Sequence, residues 1–300
     1  MLPDTTAAVI VTYNRLFLLQ QCIAALRTQT HALTAIIVIN NSSTDGTEEW
    51  LKTQPDVITV TQENRGGAFG FYTGIKTAFE KGYEWIWCMD DDGIPDRGAM
   101  ASLMQHRHRR PCVMNALVLD KDAPEKIVFQ TGPYTLRSQV KEEVIEGAAN
   151  FFNGTLFHYG VIEKAGLPLQ QLTIWGDETE YFNRIKFRFQ FSVFTVSSSL
   201  HFHPAAFSRF YIRNWDLAGG WKTYFYIRNK RFVLGSQHAS PIRSFFSYST
   251  FLVAFLGTIV VYQKTDKWKK AKLLWRAGVD GLKKDTSKGI ADVRQLLQRL

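Results

Sequence analysis

Trp85-Ile86-Trp87-Cys88-Met89-Asp90-Asp91-Asp92-Gly93-Ile94-Pro95 joins an apolar run to three consecutive carboxylates and a Gly/Pro turn. The aromatic and β-branched run reads as a buried strand, and the acids follow at its carboxyl end. Three acids there have two explanations. One is a solvated acidic turn. The other is chemical: at the exposed end of a strand in an open α/β sheet, an Asp-x-Asp pair can clamp a hard cation such as Mg²⁺ or Mn²⁺, which would in turn hold phosphates. A second acidic group, Trp175-Gly176-Asp177-Glu178-Thr179-Glu180, opens a helical pattern, where the helix dipole alone favours carboxylates. His201-Phe202-His203 follows an apolar strand pattern.

The elements that must position these residues are legible from apolar periodicity. Residues 7–12 and 35–40 are short apolar runs, the first followed by Leu16, Leu19, Ile23 and Leu26 at helical spacing. The second ends in a polar cap from which Glu48 onward can start a helix. Val57-Ile58-Thr59-Val60 predicts a third strand, Ile75 to Phe79 a helix, and the acid-bearing strand comes fourth. This alternation predicts a mostly parallel α/β sheet with its functional loops on one edge. Further on, a helix containing Met100 and Leu103 runs into His106-Arg107-His108-Arg109-Arg110, expected to be a solvated helix end. A strand at 112–118, a polar loop or hairpin at 131–147, and a strand at 151–157 with a turn inside it follow.

VIVTYNR at 9–15, VINNSSTDGT at 38–47, ENRGGAFGFYTG at 63–74 and MDDDGIP at 89–95 resemble, in order and spacing, the family 2 glycosyltransferases. The glycine loop and triple-Asp strand are similar to a bacterial branch of galactofuranosyl- and rhamnosyltransferases. The resemblance implies a GT-A fold: a catalytic domain at 1–235, with a nucleotide-sugar half (1–98) and an acceptor half (99–235), and a helical basic extension at 236–300. It puts Thr12 and Tyr13 at the base and ribose, with Asn14 and Arg15 beside them, and Asn40 or Asn41 at the pyrimidine edge. Many relatives carry Asp where this chain has Asn40. Asn64, Arg65, Gly66 and Gly67 would meet the sugar or diphosphate, the glycines by close backbone approach, with Arg65 either adding charge there or solvated.

Asp90 and Asp92 would hold Mn²⁺ or Mg²⁺ with His203 as third ligand in preference to His201, and Asp91 would lie nearer the sugar. In an inverting transfer a carboxylate must take the acceptor's proton. The family register gives that role to Glu178, with Asp177 close behind; Trp175, Glu180, Asn153 and Gly154 fall on the acceptor side. Arg228-Asn229 would brace the catalytic domain. The implied activity is transfer of galactofuranose from UDP-galactofuranose to a hydroxyl of a growing, lipid-linked bacterial surface glycan such as an O-antigen. The alternatives are a dTDP-rhamnose-dependent rhamnosyltransferase and a noncatalytic glycan-binding or scaffold protein.

Composition narrows the partners. The net charge is +9, but residues 264–300 hold 11 Lys/Arg against 4 Asp/Glu, a net of +7, leaving 25 against 23 elsewhere. That distribution argues against nucleic acid and for an anionic membrane surface. Cys22, Cys88 and Cys112 lack metal-ligand spacing and suit buried, reduced thiols. The N-terminal residues do not read as a secretory signal, so the expected location is cytoplasmic, peripheral to the inner membrane. Residues 244–263 are 20 without a charge, long enough to span a bilayer but with five Ser/Thr and two Tyr. More Lys/Arg follow this stretch than precede it, which would put a spanning protein's catalytic part outside. An in-plane or protein-packed helix avoids that. Oligomerisation is open.

Overall fold

The computed structural model describes residues 1–205, 212–238 and 240–300. β1 (Leu2–Thr12), α1 (Leu16–Arg27), β2 (Ala35–Asn40), α2 (Thr47–Lys52), β3 (Val57–Thr61), α3 (Gly67–Glu80) and β4 (Tyr83–Asp90) alternate as the periodicity predicts. There follow β5 (Ile94–Pro95), α4 (Ala99–Met104), β6 (Cys112–Asp120), β7 (Lys126–Thr131), β8 (Tyr134–Leu136) and β9 (Val144–Glu146). β10 (Asn153–His158), α5 (Tyr159–Ala165), α6 (Asp177–Asn183) and β11 (Ser192–His203) precede the helices α7 (Gly220–Gln237), α8 (Pro241–Tyr262), α9 (Lys267–Lys283) and α10 (Ile290–Gln298).

The chain forms two compact units. The first comprises Met1–Asn64, Gly70–Leu167 and the described residues of Phe189–Phe207. Its sheet runs β3-β2-β1-β4-β10-β6-β11-β5, with β1 to β4 parallel, β6 parallel to β11, and β10 antiparallel to both neighbours. Ile10, Trp85, Trp87, Met89, Leu156 and Phe194 are all fully buried in its core. That is why these strands read as continuous apolar runs rather than alternations. Val11 pairs with Asp90 and Thr12 with Asn40, so β1, β2 and β4 end level and their loops leave one edge. Gly70 and Gly74 let α3 lie close to β1: a Cβ would meet Val11 Cγ1 at 2.4 Å or Val9 Cγ1 at 2.3 Å.

The second unit comprises Arg65–Phe69, Pro168–Arg188 and the described residues of Ser208–Leu300. Its core joins Tyr224, Phe225 and Ile227 of α7 to Phe255 and Ile259 of α8, Leu273 and Ala277 of α9 and Val293 of α10. A boundary at 235/236 does not coincide with this division. α7 crosses it, and its buried side chains pack with the C-terminal helices, which therefore do not form a separate extension.

Two local expectations are refined. His106–Arg110 follows the end of α4 with Arg107, His108 and Arg110 exposed, as expected, but two of its arginines are also paired: Arg109 with Glu146 at 2.6 Å and Arg110 with the buried Glu84 at 2.5 Å. The strand expected at 151–157 begins at Asn153, and the turn inside it is a register break between Asn153 and Thr155 in pairing with β4. Gly154, at φ +72, occupies that break. All three cysteines are buried and free, as expected.

Candidate functional site

Asp90, Asp92 and His203 each offer a ligand atom within 4.8 Å of the others, and all three are half-buried. Sheet topology brings them together. β5 pairs antiparallel with β11, Phe202 opposite Ile94 and His201 opposite Pro95, which holds the 91–93 turn against the end of β11. Gly93 is required there because a Cβ would sit 2.3 Å from His201 Nε2. His203 Nδ1 lies 2.7 Å from the Pro204 carbonyl, which only accepts, so Nδ1 carries the proton and Nε2 faces Asp92 Oδ1 at 3.2 Å. Buried oxygens plus an oriented imidazole form a donor set that fits Mn²⁺.

The charges fit a cation as well. Burial first, then the charges of Asp92 and Asp91, pushes the Asp90 carboxyl up to about 7. Burial also opposes ionisation of Asp92, but the His203 hydrogen bond and charge and Arg15 outweigh it and hold that carboxyl below its usual range. His203 is likewise disfavoured as a cation by burial, yet its pairing with Asp92 raises it overall. His201 does not join the group. It is fully buried, neither ring nitrogen has a hydrogen-bond partner among the described residues, and burial lowers its pKa to about 3.

The loops expected to bind the donor are built largely by their own side chains. Arg15 Nη1 lies 3.1 Å from Asp91 Oδ1 and 2.8 Å from Asp92 Oδ2. Thr12 donates its hydroxyl to Asp91 Oδ2 at 2.8 Å. Asp91 is thus 3% exposed with both oxygens engaged, so it fixes the loop rather than facing a sugar, and the Thr12 hydroxyl is spent on it. Asn40 is fully buried: its Oδ1 accepts from Ser43 N–H and its Nδ2 reaches Thr61. It shapes the loop and does not present the expected edge to a pyrimidine. Asn41 accepts from Gln62, which accepts from Thr73, so Gln62 is a loop organiser that the sequence motifs did not mark. Asn14, at φ +54, accepts from Thr44 N–H, while Tyr13 stays 49% exposed. Asn64 is half-buried.

In the second unit, Gly66 (φ +99) faces the Thr173 carbonyl, which a Cβ would approach to 2.2 Å, so packing alone demands this glycine. A Cβ on Gly67 would meet nothing within 4 Å. The exposed Arg65 stacks over Phe69 at 4.4 Å. Asn153 and Gly154 lie in the first unit's sheet. Asn153 donates to the Phe151 carbonyl, and a Cβ on Gly154 would stand 3.1 Å from His201, so each has a packing role in the sheet.

The acidic segment 175–180 is held by α7. Asn229 is fully buried and its Nδ2 donates to the carbonyls of Leu172, Ile174 and Trp175 at 2.7, 3.0 and 2.8 Å. Arg228 donates to Gln171 and Leu172, so the pair braces this loop. Trp175 (φ +59) and Gly176 (φ +101) turn the chain into α6. Asp177 is 4% exposed, hydrogen-bonded to Glu178, and pushed up to about 6 by burial above all. Glu180 is engaged at both oxygens by Arg184 at 3.0 and 3.1 Å, an ion pair within α6 and the turn that follows it. Trp175, Gly176, Glu178, Thr179, Tyr226, Lys230 and Val233 line a pocket of about 310 Å³.

The family model described as glycosyl transferase family 2 matches residues 7–159. Galactofuranosyltransferase GlfT1 of Mycolicibacterium smegmatis is 28% identical over 253 residues, 77% of this chain and 83% of that protein. The Mycobacterium tuberculosis protein of the same name is 29% identical over 252 residues, 77% and 82%. Among solved structures, S. aureus TarS 1-349 in complex with UDP-GlcNAc gives a TM-score of 0.60 at 11% identity, covering 98% of this chain and 86% of that one. The mannosyltransferase PcManGT from Pyrobaculum calidifontis, in complex with GDP-Man and Mn²⁺, gives 0.51 at 15%, covering 93% and 87%. These structural likenesses show the GT-A fold.

Proposed function

The chain belongs to glycosyl transferase family 2, and from that premise we propose an inverting transfer of galactofuranose from UDP-galactofuranose to a hydroxyl of a lipid-linked bacterial surface glycan. The observation that carries the transfer chemistry is the convergence of Asp90, Asp92 and His203. These residues would hold Mn²⁺ or Mg²⁺, which when bound neutralises charge on a nucleoside diphosphate. Arg15 keeps Asp91 and Asp92 in place. The level loops of β1 and β2 receive the nucleotide, with Tyr13 as their exposed ring.

Transfer forms a bond from the acceptor oxygen to the anomeric carbon and breaks the bond from that carbon to the diphosphate. The acceptor's proton goes to the ionised Glu178, which lines the second unit's pocket, and Asp177 fixes the start of that segment by accepting from the Glu178 backbone N–H. The pocket's Trp175 and Tyr226 rings suit the apolar face of a sugar, so the acceptor belongs there. A cytosolic nucleotide-sugar donor supports a cytoplasmic location at the inner face of the membrane.

The galactofuranose assignment is supported by the 28–29% identical relatives named as galactofuranosyltransferases. The test is nucleoside diphosphate release with Mn²⁺ and a synthetic glycan acceptor, comparing UDP-galactofuranose with dTDP-rhamnose. Turnover of the first alone is expected. Turnover of dTDP-rhamnose alone overturns the donor assignment, and release from neither donor overturns catalysis in favour of glycan binding.

A further inference from the structure

α8 carries most of the uncharged 20-residue run at 244–263, and its surroundings leave one side of it uncovered. Ile242, Phe246, Val253, Val260 and Val261 are 70%, 64%, 72%, 60% and 69% exposed. The spacings of four and seven between Ile242, Phe246, Val253 and Val260 put those four on one stripe of the helix, with Val261 at its margin. The other stripe is Ser244, Tyr248, Phe255 and Ile259, each at most 2% exposed. It is tied along its length to the unit's own core. Ser244 accepts from the 8%-exposed Arg231, Tyr248 donates to the Ile227 carbonyl at 3.0 Å, and Phe255 and Ile259 pack with Phe225 and Leu273. Crossing a bilayer would strand the Arg231 guanidinium and unbury that stripe, at a cost that an exposed face does not offset.

α9 adds a second surface of matching chemistry. Trp268, Trp275 and Leu282 recur every seven residues and are 73%, 72% and 38% exposed. Lys272, Arg276 and Lys283 are exposed at neighbouring positions of that stripe, with Lys272 Nζ 5.8 Å from the Trp268 ring centre. A large apolar face rimmed by cations is matched by an acyl layer under anionic head groups. A second copy would bring the same net +7 of residues 264–300 against it, so like charge disfavours self-association there.

We propose that α8 and α9 dock this unit in the plane of an anionic bilayer. The uncovered stripe of α8 enters the acyl boundary, the two tryptophans sit at head-group level, and Lys272, Arg276 and Lys283 meet lipid phosphates. This goes beyond the transfer reading, and neither depends on the other.

The test uses the full chain with vesicles of phosphatidylcholine alone or mixed with phosphatidylglycerol. Co-sedimentation is expected with the anionic vesicles and is weakened by salt. Val253→Glu with Phe246→Glu should weaken it about tenfold or more, and Trp268→Ser with Trp275→Ser several-fold. All variants keep the wild-type melting temperature and turnover on a soluble acceptor. Undiminished vesicle binding by Val253→Glu/Phe246→Glu overturns the proposal. So does a wild-type dimer that ignores vesicles and that Val253→Glu makes monomeric. In inverted inner-membrane vesicles, Ser287→Cys in the tail and Ser138→Cys at an exposed site of the first unit should both be fully labelled by an impermeant maleimide added outside, and protection of either cysteine would show a spanning α8.

Discussion

Two acid-rich segments of this chain bury carboxylates, one at the end of β4 and one at the start of α6, and their surroundings differ. At β4, Asp90, Asp91 and Asp92 crowd together, and Asp90 stays near 7 even though Arg15 and His203 already supply positive charge. At α6, Asp177 rises to about 6 through burial first, its like-charged neighbour Glu180 is neutralised by Arg184, and no ion pair of Asp177 occurs among the described residues. The first segment is short of positive charge, which a cation supplies. The second is short of water, which makes a carboxylate more basic. The contrast predicts that one segment answers to metal and the other to pH.

Metal dependence carries the largest expected effect. Asp92→Asn removes a ligand oxygen and the partner that raises His203, and nucleoside diphosphate release should fall about 10³-fold, the loss expected when charge stabilisation at the leaving group is removed. Chelation of the wild-type protein should do the same, with recovery on adding Mn²⁺. Activity within tenfold of wild type in Asp92→Asn would erase the distinction between the segments.

The second segment is broken by Glu178→Gln, which should lower turnover about 10²- to 10⁴-fold while donor affinity is preserved. The pH profile sharpens the assignment. A carboxyl with a pKa near 6 is protonated below that pH, and the Asp177–Glu178 pair takes a proton only when ionised. At saturating metal, kcat/KM should therefore fall as pH drops below about 6 and level off above it. Asp177→Asn should leave measurable turnover and displace the midpoint. A midpoint unmoved in Asp177→Asn places the titration elsewhere.

Asn229→Ala tests how the second segment is held. It strands three loop carbonyls in a fully buried site, and leaving buried acceptors unpaired costs about 2–3 kcal/mol. Thermal denaturation should show a melting temperature lower by about 3–5 °C. Mn²⁺ binding in the first unit should be unchanged, since none of its ligands lies in the braced loop.

The two segments also differ in how far the sequence revealed them. β1 to β4 are continuous apolar runs ending in polar loops, a pattern local enough to read directly, and the Asp90–His203 grouping followed once the family's order of motifs was recognised. What those motifs did not carry was which partners each side chain finds. Asn40, Asp91 and Glu180 carry ligand-like chemistry in sequence, yet each is spent inside the protein because a distant residue reaches it. The 235/236 boundary failed for a related reason. Arg228, Asn229 and Arg231 give α7 the polarity of a surface helix, whereas all three are buried against loops and neighbouring helices. Local hydrophobicity does not distinguish a solvated polar group from a satisfied buried one.

Lys230 offers the smallest and most selective perturbation of the contrast. It lines the pocket beside Glu178, burial alone lowers its pKa, and it makes no ion pair among the described residues. Its ammonium is therefore a donor held near the proposed base without a carboxylate of its own, suited to an acceptor hydroxyl or ring oxygen. Replacing it by Met keeps the apolar stem and removes one charged hydrogen bond, worth about 1.5–3 kcal/mol when fully made and less in a half-open pocket. The acceptor KM should rise about 5- to 20-fold while the donor KM and the metal requirement stay fixed. A rise in the donor KM instead would take the pocket away from the acceptor, and with it the division of labour between a segment that answers to metal and one that answers to protons.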